Sequence, residues 1–185
     1  MAMESHVMFM RRCLALAELA RKTGDFPVGA LIVRDSRVIS EATEAVRANF
    51  DITAHAETLA IRRACTILRS IDLSGCTLYT TAEPCWMCSY AVRQTRIRQL
   101  IVGTTVPYVG GVSSKYPLLA DSEISCWPPA PNVVFGILGE ECDHLRRLTT
   151  LALTCQYVEG SIPSALTNSF VFSAGSSRWC LLGNN

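Results

Sequence analysis

Thirty residues separate His55 from Cys85 in this chain, and the stretch between them has room for one helix and one strand. That spacing constrains the fold more than any other feature. A second helix is predicted from near His55 to about Leu68, and Cys76 to Thr80 reads as a strand. A third helix is predicted near Pro84, whose missing N–H suits a first turn. A helix–strand–helix passage of this length brings two helix N-termini, one carrying His55 and one carrying Cys85, side by side at one end of a sheet.

The remaining elements surround this unit. Val7, Met10, Leu14 and Ala17 recur at helical spacing, and Gly24-Asp25 ends that opening helix. Phe26 to Val33 is an apolar run that reads as a buried strand, and Arg37 to Ala42 as its partner across the polar turn Arg34-Asp35-Ser36. Arg98 to Gly103 and Val133 to Leu138 are further strands. A closing helix carries Cys142, Leu145, Leu148 and Leu151 on one face. The order α-β-β-α-β-α-β-loop-β-α predicts a sheet covered on both faces. The irregular segment from Thr104 to Asn132 is long enough to be read as a functional loop. A domain is expected over residues 1–155. The tail 156–185 holds only two charged residues, Glu159 and Arg178, and has no assigned role.

Composition removes several classes. A hydrophobic fraction of 49% with 18% charged residues belongs to a globular chain. A net charge of +1 gives no strong global field toward nucleic acid or membrane. No apolar run approaches the ~18 residues of a spanning helix, and Glu18 and Arg21 interrupt the N-terminal stretch too early for a signal peptide. A soluble, cytoplasmic protein without a membrane partner is therefore expected. The nine cysteines are odd in number and sit mostly in apolar patterns, which points to reduced thiols plus a metal pair.

Cys85 and Cys88 form a C-x-x-C, and positions i and i+3 of a helix share a face, so both sulfurs can reach one ion. The helix dipole favours their thiolates. Alone, the pair could equally be a redox motif or half of a zinc ribbon. His55 supplies a third ligand. Three protein ligands leave a tetrahedral zinc one open position, which separates a catalytic from a structural site. Glu57 lies two residues past His55, placed to move protons without binding the metal. The combination is the H-x-E…P-C-x-x-C signature of zinc deaminases.

On these residues the chain resembles the cytidine deaminase-like superfamily, in the branch of tRNA adenosine, guanine and yeast-type cytosine deaminases. Phe26-Pro27-Val28-Gly29-Ala30, Asp51 to Glu57, Leu78 to Cys88 and Gly136 to Cys142 carry the likeness. The resemblance implies a three-layer α/β/α sandwich with a mixed five-stranded sheet, usually in a homodimer. It implies Zn2+ on His55, Cys85 and Cys88, and Glu57 as general acid/base. It also implies a substrate contact from the Ala56 N–H and a pocket wall at Phe26.

Three departures bear on the substrate. Glu44 stands where relatives place an asparagine that hydrogen-bonds the base, and a carboxylate only accepts. It is expected either to read an N–H of the substrate or, if the loop is shifted, to face solvent. Gly110 to Tyr116 lacks the Phe-Asp-Asp of guanine deaminases. It also lacks the Lys-Thr-Gly-Ala-Ala-Gly-Ser-like stretch of tRNA deaminases, and Arg146-Arg147 is the only basic pair near the C-terminal helix. The preferred expectation is thus a hydrolytic deaminase of a free purine-, pterin- or triazine-like ring or nucleoside. A tRNA adenosine-to-inosine deaminase, with nucleic acid as partner, is the alternative. A non-catalytic zinc-binding subunit is the second.

Overall fold

The computed structural model describes residues 2–148. Five strands form one sheet in the order β2-β1-β3-β4-β5: β1 is Gly29–Arg34, β2 Arg37–Thr43, β3 Thr77–Ala82, β4 Gln99–Thr104 and β5 Asn132–Phe135. β1 runs antiparallel to β2 and β3, whereas β3, β4 and β5 are parallel, so the sheet is mixed. Side chains alternate across it. Ala30, Ile32, Leu78, Leu100 and Val102 pack under helices α3 (Ala56–Leu68) and α4 (Trp86–Gln94). Leu31, Val33, Tyr79 and Ile101 pack on the other face with Phe9, Met10 and Cys13 of helix α1 (Ala2–Lys22) and with Cys142. This is the three-layer α/β/α sandwich the sequence implies. No helix among the described residues is long and apolar enough to cross a membrane.

Boundaries differ in instructive places. The Phe26–Val33 run joins the sheet only at Gly29, because Pro27 has no N–H for a ladder and Val28 N–H closes a tight turn onto the Phe26 carbonyl at 2.8 Å. Gly29 itself must lack a side chain: a Cβ there would press on the backbone of Ala17 at 2.8 Å, where α1 crosses the strand. A short helix, α2 (Val46–Asn49), interrupts the approach to His55 and has no helical periodicity to reveal it. Residues 139–148 are helical, and Cys142 of the predicted closing face is buried. Leu151 and the boundary at 155 lie outside the described residues.

Register decides which loops meet. Gly29 pairs with Thr43, Ala30 with Thr80 and Ala82 with Thr104. The chain therefore leaves β2, β3 and β4 from the same sheet edge. The segments after them carry, in turn, Glu44 and His55, then Cys85, then the long 105–131 loop.

Candidate active site

His55 and Cys85 are the N-cap residues of α3 and α4, so the two helices begin at the same place. Cys85 Sγ lies 3.7 Å from His55 Nδ1 and 3.8 Å from Cys88 Sγ. Tetrahedral zinc with Zn–S of ~2.3 Å and Zn–N of ~2.0–2.1 Å requires edges of ~3.8 Å between sulfurs and ~3.6 Å between sulfur and nitrogen. Both edges that meet at Cys85 thus match one zinc ion, all three donor atoms lie within 4.8 Å of one another, and two sulfurs with one imidazole are a donor set zinc prefers.

Glu57, in the first turn of α3, is 3% exposed. Its Oε2 is 3.7 Å from Cys88 Sγ, and Thr80 Oγ1 donates to Oε1 at 3.4 Å. Glu44 is 5% exposed, so it does not face solvent, and its Oε2 accepts the Ala56 N–H at 3.0 Å. The donor that the resemblance assigned to substrate is therefore occupied by Glu44, which caps the first turn of α3 where His55 makes no side-chain cap. Glu44, His55 and Glu57 present ligand atoms within 4.8 Å of one another. Phe26 is half exposed before β1, with the Arg47 guanidinium 5.4 Å above its ring.

The electrostatics follow from crowding acids in a buried space. Burial, then the neighbouring Glu44 charge, raises Glu57 to about 8. Burial likewise raises Glu44. Hydrogen bonding to Cys88 and to His55 pulls Cys85 down to about 4, and the same contact with Cys85 lifts His55 to about 9. Cys88 is raised, first by its contact with Cys85 and then by burial. Two thiols and two carboxyl groups around one imidazole repel one another when ionised, and a divalent cation relieves that repulsion.

A stability prediction arises here. Glu57 ordinarily titrates at 4.5, and folding moves it up to about 8. Between those values the folded state holds a proton that the unfolded state has released. In metal-stripped protein, stability is intact below the lower value and declines as pH rises through the higher one. Glu57→Gln should flatten that decline in denaturant titrations from pH 4 to 9; parallel profiles for the two proteins would contradict it.

Two side chains that sequence reasoning missed hold the long loop beside the metal residues. Glu83, 3% exposed, accepts the N–H groups of Val106 (2.8 Å), Val112 (2.7 Å) and Ser113 (2.8 Å) and the Ser113 hydroxyl. Gly110 bridges to Cys85, and any side chain on it would collide with the Glu83 carboxylate. Arg93, 2% exposed, donates to the carbonyls of Pro128, Leu118 and Asp121 at 2.7–2.9 Å. Glu83→Gln places an amide against N–H donors and should destabilise the fold by roughly 2–4 kcal/mol, read as a lower denaturant midpoint. An unchanged midpoint would remove Glu83 from this role. The acidic residue ahead of Pro84 was the available signal.

The sequence profile described as the cytidine and deoxycytidylate deaminase zinc-binding region matches residues 3–104. The chain belongs to this family. Like other members of the cytidine deaminase-like group it is a zinc-dependent deaminase, and its donor geometry fits that metal. It is 42% identical over 117 residues to a tRNA-specific adenosine deaminase of Aquifex aeolicus, covering 63% of this chain and 78% of the relative. It is 38% identical over 147 residues to a tRNA-specific adenosine deaminase of Agrobacterium fabrum, covering 80% and 93%. Among solved deaminase structures, one from a study of A-to-I editing at the wobble position of transfer RNA superposes with a TM-score of 0.70 at 36% identity. That match covers 75% of this chain and 98% of the other.

These relatives correct the expectation of a free purine-, pterin- or triazine-like substrate. That expectation rested on Glu44 in place of an asparagine, on the 110–116 segment and on the scarcity of basic pairs. Loops and surface charge vary while the scaffold stays constant, and the identity to tRNA-specific deaminases spans 117 and 147 residues of this chain.

Proposed function

We propose that this deaminase converts adenosine to inosine within a tRNA. The observation that carries the reading is the 38% identity over 93% of the length of a tRNA-specific adenosine deaminase. In this proposal His55, Cys85 and Cys88 hold the zinc ion, which when bound supplies Lewis-acid activation at the reacting centre. Glu57 accepts a proton from the attacking water as the water oxygen bonds to the ring carbon bearing the amino group. It returns that proton to the adjacent ring nitrogen. It then takes the remaining proton from the new hydroxyl on that carbon and delivers it to the amino group as the carbon–nitrogen bond breaks and the oxygen becomes the ring carbonyl. Ammonia leaves and the ring keeps the oxygen. The raised affinity of Glu57 for protons suits a group that must both take and give them near neutrality.

Glu44 is assigned the amino group of the base. One oxygen is fixed by Ala56 N–H, and the other accepts no hydrogen bond from a described residue. A carboxylate accepts, and the exocyclic amino group of adenine donates. Ala56 then orients Glu44 instead of meeting the substrate itself, and Phe26 is the pocket wall. Glu44→Ala is expected to lower kcat/KM roughly 10–100-fold, the worth of a hydrogen bond to a charged group. Unchanged kcat/KM would dismiss the assignment. A homodimer belongs to the same proposal and is measured by light scattering.

The deciding comparison is ammonia release by zinc-loaded protein from an anticodon stem-loop against adenosine, adenine, guanine and cytosine. Release from the stem-loop at concentrations where the free compounds are inert supports the reading. Faster release from a free ring would reverse it.

A further inference from the structure

Two aromatic rings stand almost fully in water on the segments that follow β2 and β4. Phe50 is 97% exposed and Tyr108 87% exposed. Phe50 lies five residues before His55, in the segment that follows β2. Tyr108 lies two residues before Gly110, which is bridged to Cys85, in the segment that follows β4. Both segments leave the sheet at the end that carries the metal residues, one running on to His55 and the other bridged to Cys85.

Neither ring hangs on loose chain. Phe50 has a left-handed backbone (φ 52°), its N–H donates to the Arg47 carbonyl at 3.3 Å, and the next N–H donates to Val46 at 3.1 Å. Tyr108 sits at the apex of a turn closed by Val109 and Gly110 N–H groups onto the Val106 carbonyl at 3.2 and 2.8 Å. Val106 is tied in turn to the buried Glu83. A large ring kept exposed on a fixed turn loses little further freedom when something flat settles on it.

We propose that Phe50 and Tyr108 are stacking platforms for the nucleotides on either side of the target base in an RNA loop. The proposal rests on the tRNA reading above and deepens it by naming how the loop is gripped. An enzyme that works on a base must take it out of its stack, which strips a stacking partner from each neighbour. An aromatic face replaces that partner and does so whatever the base, since every base has a π-face. A free heterocycle has no flanking bases, so the same pair favours RNA over a free ring. It also supplies affinity without the basic clusters that the described residues lack near the C-terminal helix, where Arg146 and Arg147 are both paired with Asp143.

The test uses zinc-loaded full-length chain and an anticodon stem-loop with 2-aminopurine beside the target adenosine. Phe50→Ala and Tyr108→Ala are the variants, Tyr108→Phe the conservative one, and Ile71→Ala, an exposed apolar residue outside the site, the control. Each alanine variant should weaken stem-loop binding roughly 5–100-fold, as stacking on one base is worth, with the loss in KM and only a small part in kcat. It should also abolish the 2-aminopurine quenching that wild type and Tyr108→Phe give. An abasic nucleotide at the flanking position should weaken wild type by the same factor and the matching alanine variant no further. Wild-type KM in both alanine variants would overturn the proposal while leaving tRNA deamination standing. So would a change in oligomeric mass, which would assign the rings to a second copy of the chain. A wild-type chain that neither binds nor deaminates the stem-loop would overturn both readings together.

Discussion

Glu57→Gln is expected to lower kcat by roughly 10²–10⁴ while leaving zinc bound at one ion per chain. The reason is positional. Glu57 is buried in the first turn of α3 and stands 3.7 Å from Cys88 Sγ, yet it is separate from the donor triangle of His55, Cys85 and Cys88. Glutamine keeps the volume and the Thr80 contact but cannot take a proton from water. Metal content by atomic emission and single-turnover rates measure the two halves independently. A variant that retained turnover would remove Glu57 from proton transfer. One that lost zinc would make Glu57 a ligand.

Cys88→Ala is the second large effect, with the complementary signature. It removes one corner of the donor triangle, so zinc should be lost and activity should fall to background. Because the ligands come from the starts of two different helices, the ion also ties α3 to α4. A ligand bound only by the folded state stabilises by about 4 kcal/mol when its free concentration is a thousandfold above Kd. Wild type should therefore gain melting temperature on adding zinc and lose it to a chelator, and Cys88→Ala should respond to neither. A zinc-dependent midpoint in that variant would contradict the assignment.

The sequence disclosed the metal residues because their spacing is tied to local structure. Cys85 and Cys88 are the cap and third position of one helix, His55 the cap of another, and a single strand between them sets the distance. The layers were legible for the same reason: alternation along β1 and β3 places Ala30 and Leu78 on one face and Leu31 and Tyr79 on the other. Contacts between distant segments were not. Glu83 finds its donors 23 to 30 residues ahead and Arg93 its acceptors 25 to 35 residues ahead, within a loop that carries no periodicity. That Glu44 caps α3 through Ala56 depends on α2 turning the chain back, and four residues are too few for a helical pattern to show. The substrate was misjudged because Glu44, surface charge and one loop segment were weighed more heavily than the scaffold.

The most direct measurement is to incubate zinc-loaded protein with a tRNA anticodon stem-loop bearing adenosine at the wobble position and to sequence the complementary DNA. Inosine is read as guanosine. The account predicts adenosine-to-guanosine conversion at that single position, dependent on zinc and absent in Glu57→Gln. Unconverted adenosine, with the same preparation releasing ammonia from a free nucleobase, would contradict it.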